Sequence, residues 1–190
     1  MTEDKSQEQE KDPARLEYER GQEFLKNKDL AQAANAFHNA LVGYEQGQDE
    51  NGIANAAARL GDICLQREDY ETALPHYQRA YAICEQAKDL FSLISLKRKI
   101  AGVHRGRKEY EAAIGLYLDL LDIFSDFKNP QRSIDILELL AEVYTESGDR
   151  AKAADTLRTA ASIHASFKHP RHAEKLREKA EAIERGTPQP

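Results

Sequence analysis

Apolar residues along this chain recur at steps of three and four, in blocks broken by short polar stretches. Ala57, Leu60, Gly61 and Cys64 share one helix face, residues 67–70 interrupt the pattern, and Ala73, Leu74, Tyr77, Ala80, Tyr81 and Cys84 resume it. No run alternates Val, Ile and Thr as a strand would, and glycine (10) and proline (6) are sparse. The pattern predicts an all-α protein. The interruptions at 27–29, 67–69, 107–109 and 147–149 read as turns between antiparallel helices. Asp29, Asp69 and Asp149 end three of them, where a carboxylate can accept hydrogen bonds from the free N–H groups of the next helix.

Set in rows of forty, the chain aligns with itself without a gap. Gly21, Gly61, Ala101 and Ala141 share a column; so do Ala33, Ala73, Ala113 and Ala153; Phe37, Tyr77, Tyr117 and Leu157; and Ala40, Ala80, Leu120 and Ala160. Asp49, Asp89, Asn129 and His169 form a further column between apolar blocks. Four copies of a helix pair are expected, at about 13–50, 51–89, 90–129 and 130–170. One pair cannot bury its apolar face alone, so stacked pairs must share a continuous core. Gly61, Ala73 and Ala80 are expected to let the paired backbones approach, with Tyr77 filling the gap to the next pair. Residues 1–12 read as a disordered tail, with Asp12 and Pro13 as cap and first residue of the first helix. Residues 171–186 carry a narrow stripe, Ala173, Leu176, Ala180 and Ile183, among charged positions, as a terminal capping helix requires. Gly186 ends it, and 187–190 read as a second disordered tail.

These columns resemble the tetratricopeptide repeat, most clearly at Leu60, Gly61, Cys64, Ala73, Tyr77 and Ala80. The likeness holds at Gly21, Phe24, Ala33, Phe37 and Ala40, and at Leu140, Ala141, Tyr144, Ala153 and Ala160; the third copy (Ala101, His104, Ala113, Tyr117, Leu120) diverges most. It implies a right-handed superhelical α-solenoid of four helix-turn-helix repeats with a C-terminal capping helix. Two features depart from the usual repeat. The period is forty rather than about 34 residues. The family's proline after the second helix is replaced by Glu45, Glu85, Ser125 and Ala165, with Pro130 and Pro170 five positions later. A second helix lengthened by more than a turn is implied, similar to kinesin light chains, to spindle adaptors with Leu-Gly-Asn repeats and to bacterial peptide-sensing regulators. HEAT repeats share the period, but the column order favours the tetratricopeptide type.

Composition narrows the function. With 33 acidic and 27 basic residues the formal charge is −6, which argues against a dedicated nucleic-acid binder. No apolar run approaches the roughly 20 residues of a membrane span, and the acidic start lacks the build of a signal peptide. Cytoplasmic placement is expected, with Cys64 and Cys84 as reduced, mostly buried small hydrophobes. No nucleophile, phosphate-loop or dinucleotide motif occurs, so no enzyme is expected and no cofactor is implied. His104 sits in a core column, and His169 and His172 flank Pro170 without the cysteine or carboxylate support of a metal site.

In tetratricopeptide arrays the first helices line a concave groove. The resemblance therefore implies groove positions Arg15, Tyr18, Gln22 and Leu25 in the first repeat, and Asn55, Ala58, Asp62 and Leu65 in the second. The third supplies Ser95, Arg98, Gly102 and Arg105, and the fourth Asp135, Glu138, Glu142 and Thr145. Charge along them is segregated: residues 91–108 contain no acid, whereas the fourth first-helix carries Asp135, Glu138, Glu142 and Glu146 against Arg132. Two readings stay open. Neighbouring helices of opposite sign attract each other, with Arg98 near Glu138 or Glu142; or the groove is bipolar and takes a charged peptide. The carboxylate clamp of chaperone-binding relatives is only partial, since its places hold Tyr18, Gln22, Asn55, Arg59 and Arg98. The sequence thus points to a non-enzymatic adaptor for a protein or peptide partner, with no nucleic acid or membrane. A homo-oligomerising scaffold and a peptide-switched regulator are the alternatives.

Overall fold

The computed structural model describes residues 12–186, so both expected tails, Asp12 apart, lie outside the described residues. Among the described residues there are nine helices and no strand: α1 (Pro13–Lys26), α2 (Leu30–Gln46), α3 (Glu50–Gln66), α4 (Tyr70–Gln86), α5 (Leu90–Gly106), α6 (Tyr110–Asp126), α7 (Pro130–Ser147), α8 (Arg150–Ser166) and α9 (Pro170–Arg185). The second helix of each pair runs 17 residues, continuing through the positions where the usual repeat has its proline.

Every connection is built alike. The amide of Asp29 donates to the Phe24 carbonyl (2.9 Å) and that of Lys28 to the Leu25 carbonyl (3.0 Å), which closes α1 in a Schellman motif. The long bond recurs at Asp49, Asp69, Asp89, Glu109, Asn129, Asp149 and His169. The residue that ends one helix therefore also opens the next. Asp29, Asp69 and Asp149 accept from the amides of Gln32, Thr72 and Lys152 at 3.0–3.2 Å, as the sequence predicts. Glu109, one methylene longer, makes no side-chain cap bond. The motif needs a left-handed residue, and only Gly148 among the eight turns is a glycine; Lys28, Gln48, Glu68, Lys88, Lys108, Lys128 and Lys168 hold φ between 49 and 61°.

The described residues divide into two compact units, one up to residue 92 and the other from residue 93. In the first unit, Ala33, Phe37, Ala40, Leu41 and Tyr44 of α2 pack with Ile53, Ala56, Leu60 and Ile63 of α3. The small residues act within each pair. A methyl built on Gly21 would lie 2.8 Å from Phe37 Cε1, and one on Gly61 2.7 Å from Tyr77 Cε1. Tyr77 thus lies over Gly61 of its own repeat. Antiparallel pairing sets the two columns face to face, and the missing side chain is the ring's seat. Burying such a ring is worth roughly 1.5–3 kcal/mol.

In the second unit, Ala101, Ala113, Tyr117, Leu120 and Phe124 pack with Ile136, Leu140 and Val143, joining α5, α6 and α7. A second cluster sets Ala173, Leu176, Ala180 and Ile183 of α9 on Ala153, Ala154, Leu157, Ala160 and Ala161 of α8. The stripe read as a capping face is the buried face of α9. Cys84 is buried, Cys64 half-buried, and neither is in a disulfide; burial pushes both thiols up, away from reactivity. No described helix is long and apolar enough to cross a membrane.

Candidate functional site

Each first helix buries one side and leaves another partly open. In α3, Ala56, Ala57, Leu60, Gly61 and Ile63 are buried, whereas Asn55 is exposed and Ala58, Arg59, Asp62 and Leu65 are half-buried. On this open side of the first unit a polar chain links three helices. Tyr77 of α4 donates its hydroxyl hydrogen to Asp62 Oδ1 (2.8 Å), Arg59 Nη1 lies 3.5 Å from Asp62 Oδ2, and Arg59 Nε donates to the Tyr18 hydroxyl of α1 (3.3 Å). Tyr18 in turn sets its ring edge-to-face on Phe37, with centroids 5.2 Å apart. Burial and then the Asp62 carboxylate hold the Tyr77 hydroxyl far above its ordinary value. The hydrogen bond to Tyr18 raises the Arg59 guanidinium above its ordinary value, against the opposing effect of burial. Tyr18 and Asp62 are therefore parts of a fixed framework. Arg15 is exposed and pairs with Glu19 on its own helix (3.1 Å); Gln22 is half-buried and Asn55 open to solvent.

In the second unit the basic α5 and acidic α7 meet at one residue. Arg105 donates from Nη1 to Glu142 (2.6 Å) and from Nε and Nη2 to Glu146 (2.5–3.1 Å). The Glu146 bonds, opposed by burial and aided by Glu142, hold the guanidinium well above its ordinary value. Attraction between the helices is real here, but it runs through Arg105 with Glu142 and Glu146, not through Arg98 with Glu138 or Glu142. Arg98 is exposed, with no ion-pair partner among the described residues. Lys97 pairs with Asp119 of α6 (2.8 Å), Asp135 accepts from Gln131 (3.2 Å), and Glu138 is half-buried.

The tetratricopeptide-repeat family model matches residues 12–86 and 92–166, most of the chain. This chain belongs to the tetratricopeptide-repeat family. No curated protein matches it in sequence. Among solved structures it is similar to the nearly identical kinesin-light-chain TPR-like repeats of Podosopora anserina, with TM-score 0.71, 14% identity, and coverage of 90% of this chain and 96% of that one. The apo form of RapI gives TM-score 0.77 at 18% identity, covering 91% of this chain and 64% of that one. A Rap protein complexed with Competence and Sporulation Factor gives TM-score 0.64 at 15% identity, covering 90% and 54%. At such identities the likeness is one of fold.

Three features of this tetratricopeptide chain escape its repeat columns. Arg59 ties the first unit's polar chain together, and its spacing to Asp62 on one helix face was the available signal. Tyrosine in place of phenylalanine at 77 sends a hydroxyl from the second helix to Asp62 on the open side of the first, and Tyr117 repeats the substitution forty residues on. His164 fills the core column of Tyr44, Cys84 and Phe124, is buried, and leaves Nδ1 as the one buried side-chain polar atom without a partner among the described residues. His172 stacks on it at 5.2 Å, and His169 lies 5.7 Å away. Among the described residues no group of histidine, cysteine and acidic side chains has the arrangement of a metal site. His104 is half-buried, with Nδ1 2.5 Å from the Glu109 carboxylate that partners it.

Proposed function

We propose that this protein is a non-enzymatic cytoplasmic adaptor that takes a protein or peptide partner on the open side of its first helices. The observation that carries the reading is the division within those helices: one face is sealed, and the other holds polar and charged side chains fixed by neighbours yet open to solvent. Interactions pre-organised in this way lose little conformational freedom on binding. The contacts proposed are Arg15, Tyr18, Gln22, Asn55 and Asp62 in the first unit, and Arg98, Arg105, Asp135, Glu138 and Glu142 in the second. The neighbour of like fold complexed with Competence and Sporulation Factor supports the binding of a separate molecule. Binding through opposite charges predicts affinity that falls with salt.

The test is capture of a partner from native lysate, followed by two surface changes. Asn55→Trp places bulk on the open side of α3, and Gln78→Trp places it on the exposed side of α4; both positions are exposed. Loss of the partner with the first and retention with the second is expected. Loss with Gln78→Trp alone would move the site to the second helices and overturn the reading.

A further inference from the structure

Two repeats carry a tyrosine over the small-residue column of the first helix, Tyr77 and Tyr117, and both rings are buried. In the second repeat the hydroxyl of Tyr77 is used, since Asp62 accepts its hydrogen bond at 2.8 Å. Forty residues on, the place of Asp62 is taken by Gly102. A methyl group built on Gly102 would meet nothing within 4 Å, so the position opens to free space. No described residue accepts from the Tyr117 hydroxyl. It is not sealed in either, because His164 Nδ1 is the one buried unpartnered side-chain atom among the described residues.

The charges around this opening are unequal. Arg105 is engaged by Glu142 and Glu146 of α7, and Lys97 by Asp119 of α6. Arg98, one turn before Gly102 on α5, is exposed and has no carboxylate partner among the described residues. At the Tyr117 hydroxyl burial is the largest influence, followed by the Arg105 and Arg98 charges, each stronger there than either Glu142 or Glu146. Cationic side chains therefore act more strongly than carboxylates on a hydroxyl that makes no hydrogen bond among the described residues.

We propose that Gly102, Tyr117 and Arg98 form a notch that accepts a carboxylate of the partner, which takes the place Asp62 fills in the repeat before. The inference rests on the open-face reading above and names the chemistry of its recognition. The incoming carboxylate accepts from the Tyr117 hydroxyl and pairs with the Arg98 guanidinium, as Asp62 does with Tyr77 and Arg59. A glutamate or aspartate side chain and a free C-terminus share this chemistry. Gly102 is required because any larger residue there would occupy the notch.

The probes are short amidated peptides with a single glutamate, the same peptides with glutamine, and peptides whose only carboxylate is the C-terminus. They are titrated into the full chain up to millimolar concentration, with backbone amide and arginine Nε shifts as the readout. Shifts at Gly102 and Arg98 that require a carboxylate are expected, and the two acidic peptides show which source fits better. Arg98→Gln should weaken binding at least tenfold. Gly102→Asp should abolish it while leaving helicity and melting temperature unchanged or higher, because the new carboxylate takes the Tyr117 hydrogen bond. No carboxylate-dependent shift in the wild type, or undiminished binding by Gly102→Asp, overturns the inference. The two proposals fail separately: lysate capture that depends on Asn55 but not on Gly102 refutes the notch and leaves the open-face reading standing.

Discussion

Replacing Gly61 by alanine should destabilise the first unit, although alanine is the better helix former. The added methyl would sit 2.7 Å from Tyr77 Cε1, 2.8 Å from Cδ1 and 3.0 Å from Cζ. Carbon atoms in contact prefer about 3.5–4 Å, so the ring must withdraw by roughly 0.7 Å. It has little freedom to do so, being fully buried and tied by its hydroxyl to Asp62, the residue beside Gly61. The third repeat does set Tyr117 over Ala101, but there the hydroxyl is not tied to the next residue, which is Gly102. Overpacking costs about 1–3 kcal/mol, and the gain in helix propensity returns about 1 kcal/mol. A net loss of about 1 kcal/mol follows. Gly115→Ala is the control, since it lies exposed within α6 with nothing within 4 Å of the new methyl, and it should gain up to about 1 kcal/mol. Urea denaturation followed by helix circular dichroism measures both, with an unchanged slope confirming that only stability has moved. Combining Gly61→Ala with Tyr77→Leu recreates the Ala141 and Leu157 pair of the fourth repeat and should remove the penalty. If Gly61→Ala stabilises as Gly115→Ala does, or if its penalty persists in the Tyr77→Leu background, where the ring is gone, the ring-on-glycine account is wrong.

Arg105→Glu should cost about 1–3 kcal/mol in low salt, because it breaks the bonds to Glu142 and Glu146 and adds a third carboxylate. Arg98→Glu should change stability by less than about 0.5 kcal/mol, and equal effects in the same urea titrations would contradict the pairing. Burial, then the His172 and His169 charges, push His164 below its ordinary value, with Glu138 opposing. It is held neutral in the fold while the unfolded chain takes up a proton below about pH 6.5, so stability is complete above that pH and is lost as pH falls through the depressed value. His164→Phe, the residue of the third repeat at this column, should flatten the melting profile between about pH 7 and 5; an unchanged acid decline would assign it to other groups.

The helices, their pairing and their turns could be read from the chain, because each depends on residues close together in it. Apolar spacing within a helix and aspartates at 29, 69 and 149 act locally, and the forty-residue repetition of the columns shows that every pair solves the same packing problem. The stripe of α9 was legible for the same reason, since one apolar side on a charged helix has one way to be buried. Which charges and hydroxyls meet depends instead on how the helices pack. Arg98 and Arg105 are alike in sequence, seven residues apart on α5, yet only Arg105 reaches Glu142 and Glu146. Tyr77 and Tyr117 share a column, yet the first hydroxyl bonds to Asp62 while the matching place in the next repeat is Gly102, with open space beside it. His164 is held below its ordinary value by burial first, and then by His169 and His172, which the cap and first turn of α9 lay against it. These outcomes turn on a few ångströms between helices that a periodic pattern does not encode, and charge interactions change steeply over just that range.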